Sequence, residues 1–323
     1  MADHKETLQL VEEYYGKVLK GTQDIKSDVC TLKSSPSKII SEVLKIVPDE
    51  VKGRYYGCGS TVPLGIEGLD VLDLGSGSGR DCYVAAKLVG ASGSVTGVDM
   101  TDELLSIASS NVEAYSQILG FKPNIRFVKG YIESLHDAGI ASESIDLCIS
   151  NCVVNLSPNK EAVLKGVYRV LREQGEFYFS DIYASRTVPE SFKTNPVLIG
   201  EGFGGSLTQE EFKQLYCKTG FDDARVVSKT DIVIQDSTIK SWIGDIQFYA
   251  ITHHVFKLPK DHEQTYVNGQ VVVYNGTYPG DADVFTLDIN NKFTKGEPTP
   301  VDAGTFRILY HSKQHRYFDF PSL

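Results

Sequence analysis

The chain is poor in basic charge, in cysteine and in long apolar stretches. Its 32 Lys and Arg stand against 42 Asp and Glu, a formal net charge of −10. Proteins that grip nucleic acid through its phosphates need basic surface to displace counterions, so nucleic acid is not an expected partner. Six cysteines, Cys30, Cys58, Cys82, Cys148, Cys152 and Cys217, are too few and too scattered over 323 residues for a disulfide framework. They read as individual thiols. No run of 18 apolar residues offers a bilayer span, and residues 1–20 carry Asp3, Lys5, Glu6, Glu12 and Glu13 where a signal peptide needs an apolar core. The expectation is a cytoplasmic protein without a membrane partner, its thiols reduced at rest. Seven histidines are present, His4, His136, His253, His254, His262, His311 and His315, and none falls at a strand end of the core drawn below. They are expected at the surface or in packing roles, which leaves no obvious general base.

What is present is ample core material: 41% hydrophobic residues, with 17 Tyr and 15 Phe, rule out a disordered or collagen-like chain. The length, about twice a ~150-residue domain, allows one large α/β domain with appendages or two modest domains. Leu8, Val11, Tyr14, Tyr15, Val18 and Leu19 recur at helical spacing, so an amphipathic N-terminal helix must pack on something. A second helix is predicted over 37–47, followed by a Gly- and Tyr-rich loop, RYYGCGSTVP, at 54–63. From Leu69 short apolar strands alternate with helical segments, the pattern of a doubly wound parallel sheet. Strands are predicted at 71–75, 94–99, 125–129, 145–150 and 176–181. Leu104, Leu105, Ala108, Val112, Tyr115 and Ile118 mark one helix, and Val163, Val167, Val170 and Leu171 another. A further helix with Phe212, Leu215 and Tyr216, then strands in DARVVSK and FYAITHHVFKL, bring the sheet to about seven strands. Beyond Pro259 the pattern reads as β structure without long helices, with hairpins expected at Asn268-Gly269 and Asn275-Gly276 and a loop-rich end holding FRILYHS. The expected division is 1–68, N-terminal helices and a Cys-bearing cap loop; 69–258, a cofactor-binding core; and 259–323, a small β-rich domain.

VLDLGSGSGRD at 71–81 sets Gly75, Gly77 and Gly79 after the first strand and before a helix, where a ligand can approach the backbone closely. A dinucleotide fingerprint wants glycine at its sixth position, which here is Arg80, and Asp73 would repel a pyrophosphate. Asp73 suits instead a cationic ligand such as S-adenosylmethionine, with its amino group and sulfonium. Asp99, closing the second strand, can accept from both ribose hydroxyls. Met100 could lie against the purine, Tyr131, Ile132 and Glu133 could read the adenine edge, and Asn151 would flank the methionine portion. Four strand ends that each offer a matching group point to an S-adenosylmethionine site.

Several strings then resemble one family. RYYGCG at 54–59, LDLGSGSGRDCY at 72–83, GVDMT at 97–101, SNCVVNLSPNK at 150–160, YRVLREQGEFYFSDIYASR at 168–186 and FTKGE at 293–297 are similar to the arsenite methyltransferases. The resemblance implies a class I methyltransferase, Rossmann-like sheet and methylation of trivalent arsenic, arsenite or methylarsenite, held by cysteine thiolates. It implies arsenic ligands at Cys58 and Cys152, a redox-active partner of Cys58 at Cys30, and cofactor contacts from Tyr56 and Gly57. It also implies a thiol reductant, glutathione or a thioredoxin-type protein, as co-substrate, and a monomer. Softness favours this chemistry: As(III) is thiophilic, and its lone pair can attack a sulfonium methyl without a general base. No further metal site is expected.

One segment departs from the family. Where its members read roughly WGECLGGAL, this chain has IGEGFGGSL at 199–207, so a third arsenic-binding cysteine is Gly202 and a tryptophan is Ile199. Three readings follow: a two-thiol site completed by a small thiol, a preference for singly methylated arsenic, or a different substrate. The alternatives in function are a methyltransferase for another soft or thiol-bearing molecule and a catalytically idle cofactor-binding protein. Of the remaining cysteines, Cys148 alternates within a core strand and Cys217 falls in an apolar helix pattern, so both read as packing residues. Cys82 opens a helix whose N-terminus would lower its pKa, yet it too reads as packing.

Overall fold

The computed structural model describes residues 2–19, 37–59, 61–260 and 266–321. Seven apolar runs form one sheet: β1 (Asp70–Leu74), β2 (Ser94–Asp99), β3 (Ile125–Lys129), β4 (Ile145–Asn151), β5 (Leu171–Ala184), β6 (Asp223–Asp231) and β7 (Phe248–Phe256). Their order is β3-β2-β1-β4-β5-β7-β6, with β1 to β5 parallel and β7 antiparallel to both neighbours. The chain enters at the middle of the sheet, winds outward to β3, then returns to lay β4 on the free side of β1. That reversal opens a crevice at the carboxyl ends of β1 and β4.

Both sheet faces are covered, which is why the central strands read as nearly continuous apolar runs. The helices are α1 (Ala2–Glu13), α2 (Lys38–Ile46), α3 (Asp49–Lys52), α4 (Arg80–Val89), α5 (Asp102–Ser110), α6 (Val112–Leu119), α7 (Lys160–Val170), α8 (Pro196–Gly200), α9 (Gln209–Thr219), α10 (Ser237–Ile243) and α11 (Ala303–His311). On one face Val163, Leu164 and Val167 of α7 and Phe212 of α9 meet Cys148, Phe177, Phe179 and Ile251. On the other, Ile40 and Val43 of α2 and Tyr83 and Val84 of α4 meet Val71, Val95, Leu147 and Ile149. Neighbours Leu147, Cys148 and Ile149 thus serve alternate faces, and Cys148 is fully buried. Among the described residues no helix is long and apolar enough to cross a membrane.

Several local expectations change. The helix drawn through Leu104 to Ile118 is two, α5 and α6, because Asn111 turns its side chain back to donate to the Ile107 carbonyl at 2.8 Å. Ile118 is consequently exposed. Cys217 lies on the exposed side of α9 and is no packing residue. β5 begins at Leu171, earlier than predicted, with a register shift against β4 between Ile145 and Leu147.

The C-terminal region contains β8 (Gln270–Tyr274), β9 (Val284–Thr286), β10 (Lys292–Thr294), β11 (Pro298–Val301) and β12 (Phe318–Asp319), paired as β11-β8-β12 and β10-β9. Neither Asn-Gly pair makes the expected hairpin: β8 lies between them, and its partners are the distant β11 and β12. Asn275 instead accepts from the Thr277 amide at 3.0 Å, an Asx turn. FRILYHS is helical, not loop: Asp302 caps α11 by accepting from Thr305 N at 2.8 Å, and Phe306 and Leu309 face the small core.

That core is continuous with the end of the large sheet through Phe256 and Leu258. A buried polar junction fastens the two. Glu176 of β5 contacts His254 Nε2 at 2.9 Å and Gln314 Nε2 at 3.3 Å, with Lys313 Nζ at 3.9 Å. Burial alone would raise the Glu176 pKa; the charges of Lys313 and His254 outweigh it and hold it at about 2. Because the folded value lies below the unfolded one, the stabilisation is complete above about 4.5 and is lost as pH falls toward about 2. Glu176→Ala should cost about 3–5 kcal/mol in denaturant unfolding, by removing a charge that offsets buried Lys313 and the partner of His254 and Gln314. Its unfolding midpoint should also respond less to pH across that window than the wild type's.

Candidate active site

The crevice at the β1–β4 reversal holds a cavity of about 910 Å³, its mouth included, within the range of small-molecule sites. The ten residues expected around a cofactor, Tyr56, Gly57, Asp73, Gly75, Gly77, Asp99, Met100, Ile132, Glu133 and Asn151, all line it, as does Cys152. The glycine loop, the ends of β1, β2 and β4 and the cap loop therefore converge on one space.

Three buried carboxylates dominate its electrostatics. Asp81 is paired with Arg80, whose Nη2 lies 2.6 Å from Oδ1. Asp73 and Asp99 have no ion-pair partner among the described residues. Asp99 accepts from Gly77 N through one oxygen and from Thr101 N through the other, each at 2.8 Å. It thereby clamps the glycine loop to the β2 turn, with lone pairs left over for a ligand. Burial raises its pKa against those amide bonds. Asp73 is pushed well above the usual carboxylate range by burial and then by Asp81, and the Cys82 thiol donates to it at 3.2 Å. The same surroundings decide Cys82: burial and the neighbouring acids drive its pKa well up, so the helix N-terminus does not activate it. Glu133, drawn as an adenine reader, accepts from Ser157 Oγ.

Cys58 and Cys152, 94 residues apart in sequence, meet as a disulfide, with Cα atoms 5.9 Å apart. Cys152 follows β4 directly and takes φ of +57°, a left-handed conformation rare outside glycine, while its N–H donates to the Ser180 carbonyl at 2.8 Å. Ser180 Oγ lies 3.5 Å from Cys58 Sγ. Around the two sulfurs the wall is apolar, including Ile182, Phe203, Ile239, Ile243 and Phe248. Gly202 has φ of +81°, and a Cβ there would lie 2.9 Å from Ile182 Cδ1, so the segment that lacks a cysteine abuts this wall. Cys30 lies outside the described residues, and so does its expected exchange with Cys58.

Sequence reasoning missed part of the wall. Leu8 and Val11 of α1 and Tyr15 close one side of the cavity. Val11 packs with Leu156 and Ile199, and Tyr15 donates to the Gly200 carbonyl at 2.8 Å. The amphipathic stripe signalled that α1 had to be covered, without saying by what. Tyr55, Arg80 and Asp81 also line the cavity; they fall within the motif strings RYYGCG and LDLGSGSGRDCY, which assigned them no role in the site.

Residues 67–220 match a methyltransferase domain family, and residues 267–323 match the arsenite methyltransferase C-terminal domain. The chain is 44% identical over 310 residues to an arsenite methyltransferase of Aquipseudomonas alcaligenes, spanning 96% of this chain and 89% of that protein. It is 43% identical over 306 residues to the arsenite methyltransferase of Homo sapiens, spanning 94% of this chain and 80% of that one. The crystal structure of an arsenic(III) S-adenosylmethionine methyltransferase from Chlamydomonas reinhardtii is similar with a TM-score of 0.83 at 45% identity, over 88% of this chain and 96% of that one.

The raised Asp73 pKa makes cation binding proton-linked. In the empty site this carboxyl keeps its proton at higher pH than an ordinary aspartate, and a cationic ligand selects the ionised form. S-adenosylmethionine affinity should therefore weaken as pH is lowered and this carboxyl takes up its proton. Calorimetry in buffers of different ionisation enthalpy should register proton release on binding, and Asp73→Asn should abolish that release.

Proposed function

The chain belongs to the arsenite methyltransferase family, and from that premise we propose how its residues divide the work of methylating trivalent arsenic. It is an S-adenosylmethionine-dependent enzyme, and its cavity fits that cofactor: two buried acids with no ion pair among the described residues face a space of suitable size, a donor set made for a cation. Bound there, S-adenosylmethionine supplies a methyl group made electrophilic by its sulfonium charge. In this reading Asp73 and Asn151 hold the methionine side and Asp99 takes the ribose hydroxyls. Gly75 and Gly77 offer close backbone, and Met100, Ile132 and Glu133 border the adenine. Tyr56 and Gly57 close over it from the cap loop. Residues 1–68 act as lid, 69–258 as catalytic core and 259–323 as a brace.

Cys58 and Cys152 hold the arsenic, and the observation that carries the proposal is that Cys58 is joined to Cys152, which lines the cavity. Joined as a disulfide they ligate nothing. Two molecules of a small thiol such as glutathione, or one dithiol of thioredoxin type, must first deliver two electrons and two protons and leave oxidised. Arsenite then exchanges two hydroxyls for two thiolates, with the thiol protons leaving in water, and the arsenic keeps the lone pair it uses as nucleophile. The chain supplies no base because none is required. Demand for a reductant fits the reducing cytoplasm as the working compartment.

Gly202 sharpens the substrate. Trivalent arsenic makes three bonds, so arsenite on this chain needs a third ligand from solvent or a small thiol. Methylarsenite, already carrying one carbon, is satisfied by two sulfurs, and the apolar wall of Ile182 and Phe203 suits its methyl group. We propose methylarsenite as the preferred substrate.

The decisive assay incubates the purified chain with S-adenosylmethionine, glutathione and either arsenical, and separates products by chromatography. Methylarsenite should show kcat/KM higher by about tenfold or more. Methylation of neither, with cofactor still bound, would sink the proposal in favour of another soft substrate or an idle protein. Omitting the thiol should stop turnover. Cys152→Ser should lower turnover by at least about a hundredfold with cofactor affinity unchanged, because one thiolate cannot orient the arsenic. Gly202→Cys should raise arsenite turnover while costing roughly 1–2 kcal/mol for a side chain at positive φ. Adding Ile182→Val should relieve the accompanying crowding.

A further inference from the structure

Between the end of α3 at Lys52 and the start of β1 at Asp70 the described residues form neither helix nor strand. Cys58 sits in this stretch, so its position depends on side-chain attachments. They are unusually complete. The Cys58 N–H donates to Asn151 Oδ1 at 2.8 Å. Asn151 Nδ2 faces Tyr55 Oη at 2.6 Å, the Gly59 carbonyl at 2.8 Å, Asp81 Oδ2 at 3.1 Å and Thr61 Oγ1 at 3.4 Å. Tyr55 Oη donates to the Gly59 carbonyl at 2.9 Å, and Thr61 Oγ1 to Asp81 Oδ2 at 3.1 Å. On its other oxygen Asp81 receives Arg80 Nε and Nη2 at 2.8 and 2.6 Å. The Arg80 guanidinium closes the circuit by stacking 3.1 Å above the Tyr55 ring. No side chain fits inside the ring: a Cβ on Gly57 would fall 2.0 Å from Tyr55 Oη and 2.5 Å from Asn151 Cγ.

We propose that Asp81, acting through Asn151 and braced by Arg80, is a positioning residue that latches the cap loop to the first turn of α4 and so fixes Cys58 within reach of Cys152. The inference rests on Cys58 as an arsenic ligand and assigns a new role to residues beside it. Asp81 and Arg80 directly follow the glycine loop, and Tyr55, Arg80, Asp81 and Asn151 all border the cofactor cavity. The latch therefore ties the metalloid-binding loop to the element that carries the cofactor. A buried carboxylate is the suitable centre, since one oxygen satisfies the cation while the other takes the amide and hydroxyl donors. Asn151 has its amide engaged with the cap loop, so its part in cofactor contact is made through whatever valence the loop leaves.

The test uses the full chain reduced with a phosphine and saturated with S-adenosylmethionine. Alkylation of Cys58 by iodoacetamide is followed by peptide mass spectrometry, with the exposed Cys217 as internal reference. In Asp81→Ala, Cys58 should react about tenfold faster and kcat for methylarsenite should fall about tenfold, with cofactor Kd within about threefold of wild type. Asp81→Asn, which can still accept from Asn151 but loses Arg80, should fall between. Tyr55→Phe, which keeps the ring under Arg80 and removes the hydroxyl, should speed alkylation about threefold. These two variants carry the test if Asp81→Ala does not fold. Unchanged Cys58 reactivity in folded variants would overturn the latch, as would a loss of cofactor affinity equal to the loss in kcat, which would make Asp81 a cofactor ligand. If the wild type methylates no arsenical, the functional proposal fails while the alkylation comparison still decides the latch.

Discussion

Parallel pairing of β4 against β1 is the constraint on which the molecule depends. The register Val71 with Leu147 through Leu74 with Ser150 ends both strands at the same height. The glycine loop leaves one strand just where Asn151 and Cys152 leave the other. Because β1 has already been extended outward through β2 and β3, no crossover covers this point, and a crevice opens there. Every group assigned to cofactor or arsenic lies at that crevice or on a segment folded across it.

The crevice is arranged by charge as much as by shape. Burying Asp73 and Asp99 with no ion pair among the described residues is unfavourable by itself and becomes favourable when a cation binds. Asp81 differs because Arg80 neutralises it, which frees its second oxygen to organise Asn151 and the cap loop. The two acids that flank the glycine loop, Asp73 at the end of β1 and Asp81 in the first turn of α4, thus differ in their surroundings: one is left without an ion pair among the described residues and the other is bound into the protein. Cys58 and Cys152 belong instead to a cluster of aliphatic and aromatic side chains. Far from this site, the Glu176, Lys313 and His254 junction holds the C-terminal region on the sheet.

Much of this was legible in the chain. Strand positions followed from apolar runs, because burial on both faces leaves no room for polar residues, and most of the cavity-lining residues followed from strand ends. Elements whose shape depends on one side chain were misread. Asn111 split a helix by bonding backward, Asp302 started a helix where loop was expected, and Asn275 bonded locally and formed no hairpin. The Cys82 thiol was misjudged in mechanism for a related reason: a helix N-terminus is visible in sequence, but three acids and complete burial around it are not.

The sequence by itself determined the sheet and the glycine loop with its neighbouring acids, which are matters of residue type and local spacing; Cys58, Cys152 and the departure at Gly202 stood out through resemblance to the family. Tertiary structure alone decided that Cys58 and Cys152 touch, that α1 walls the cavity, and that Asp81 and Arg80 fasten the cap loop. Each joins segments tens of residues apart, and only the packed strand order brings their atoms within bonding distance.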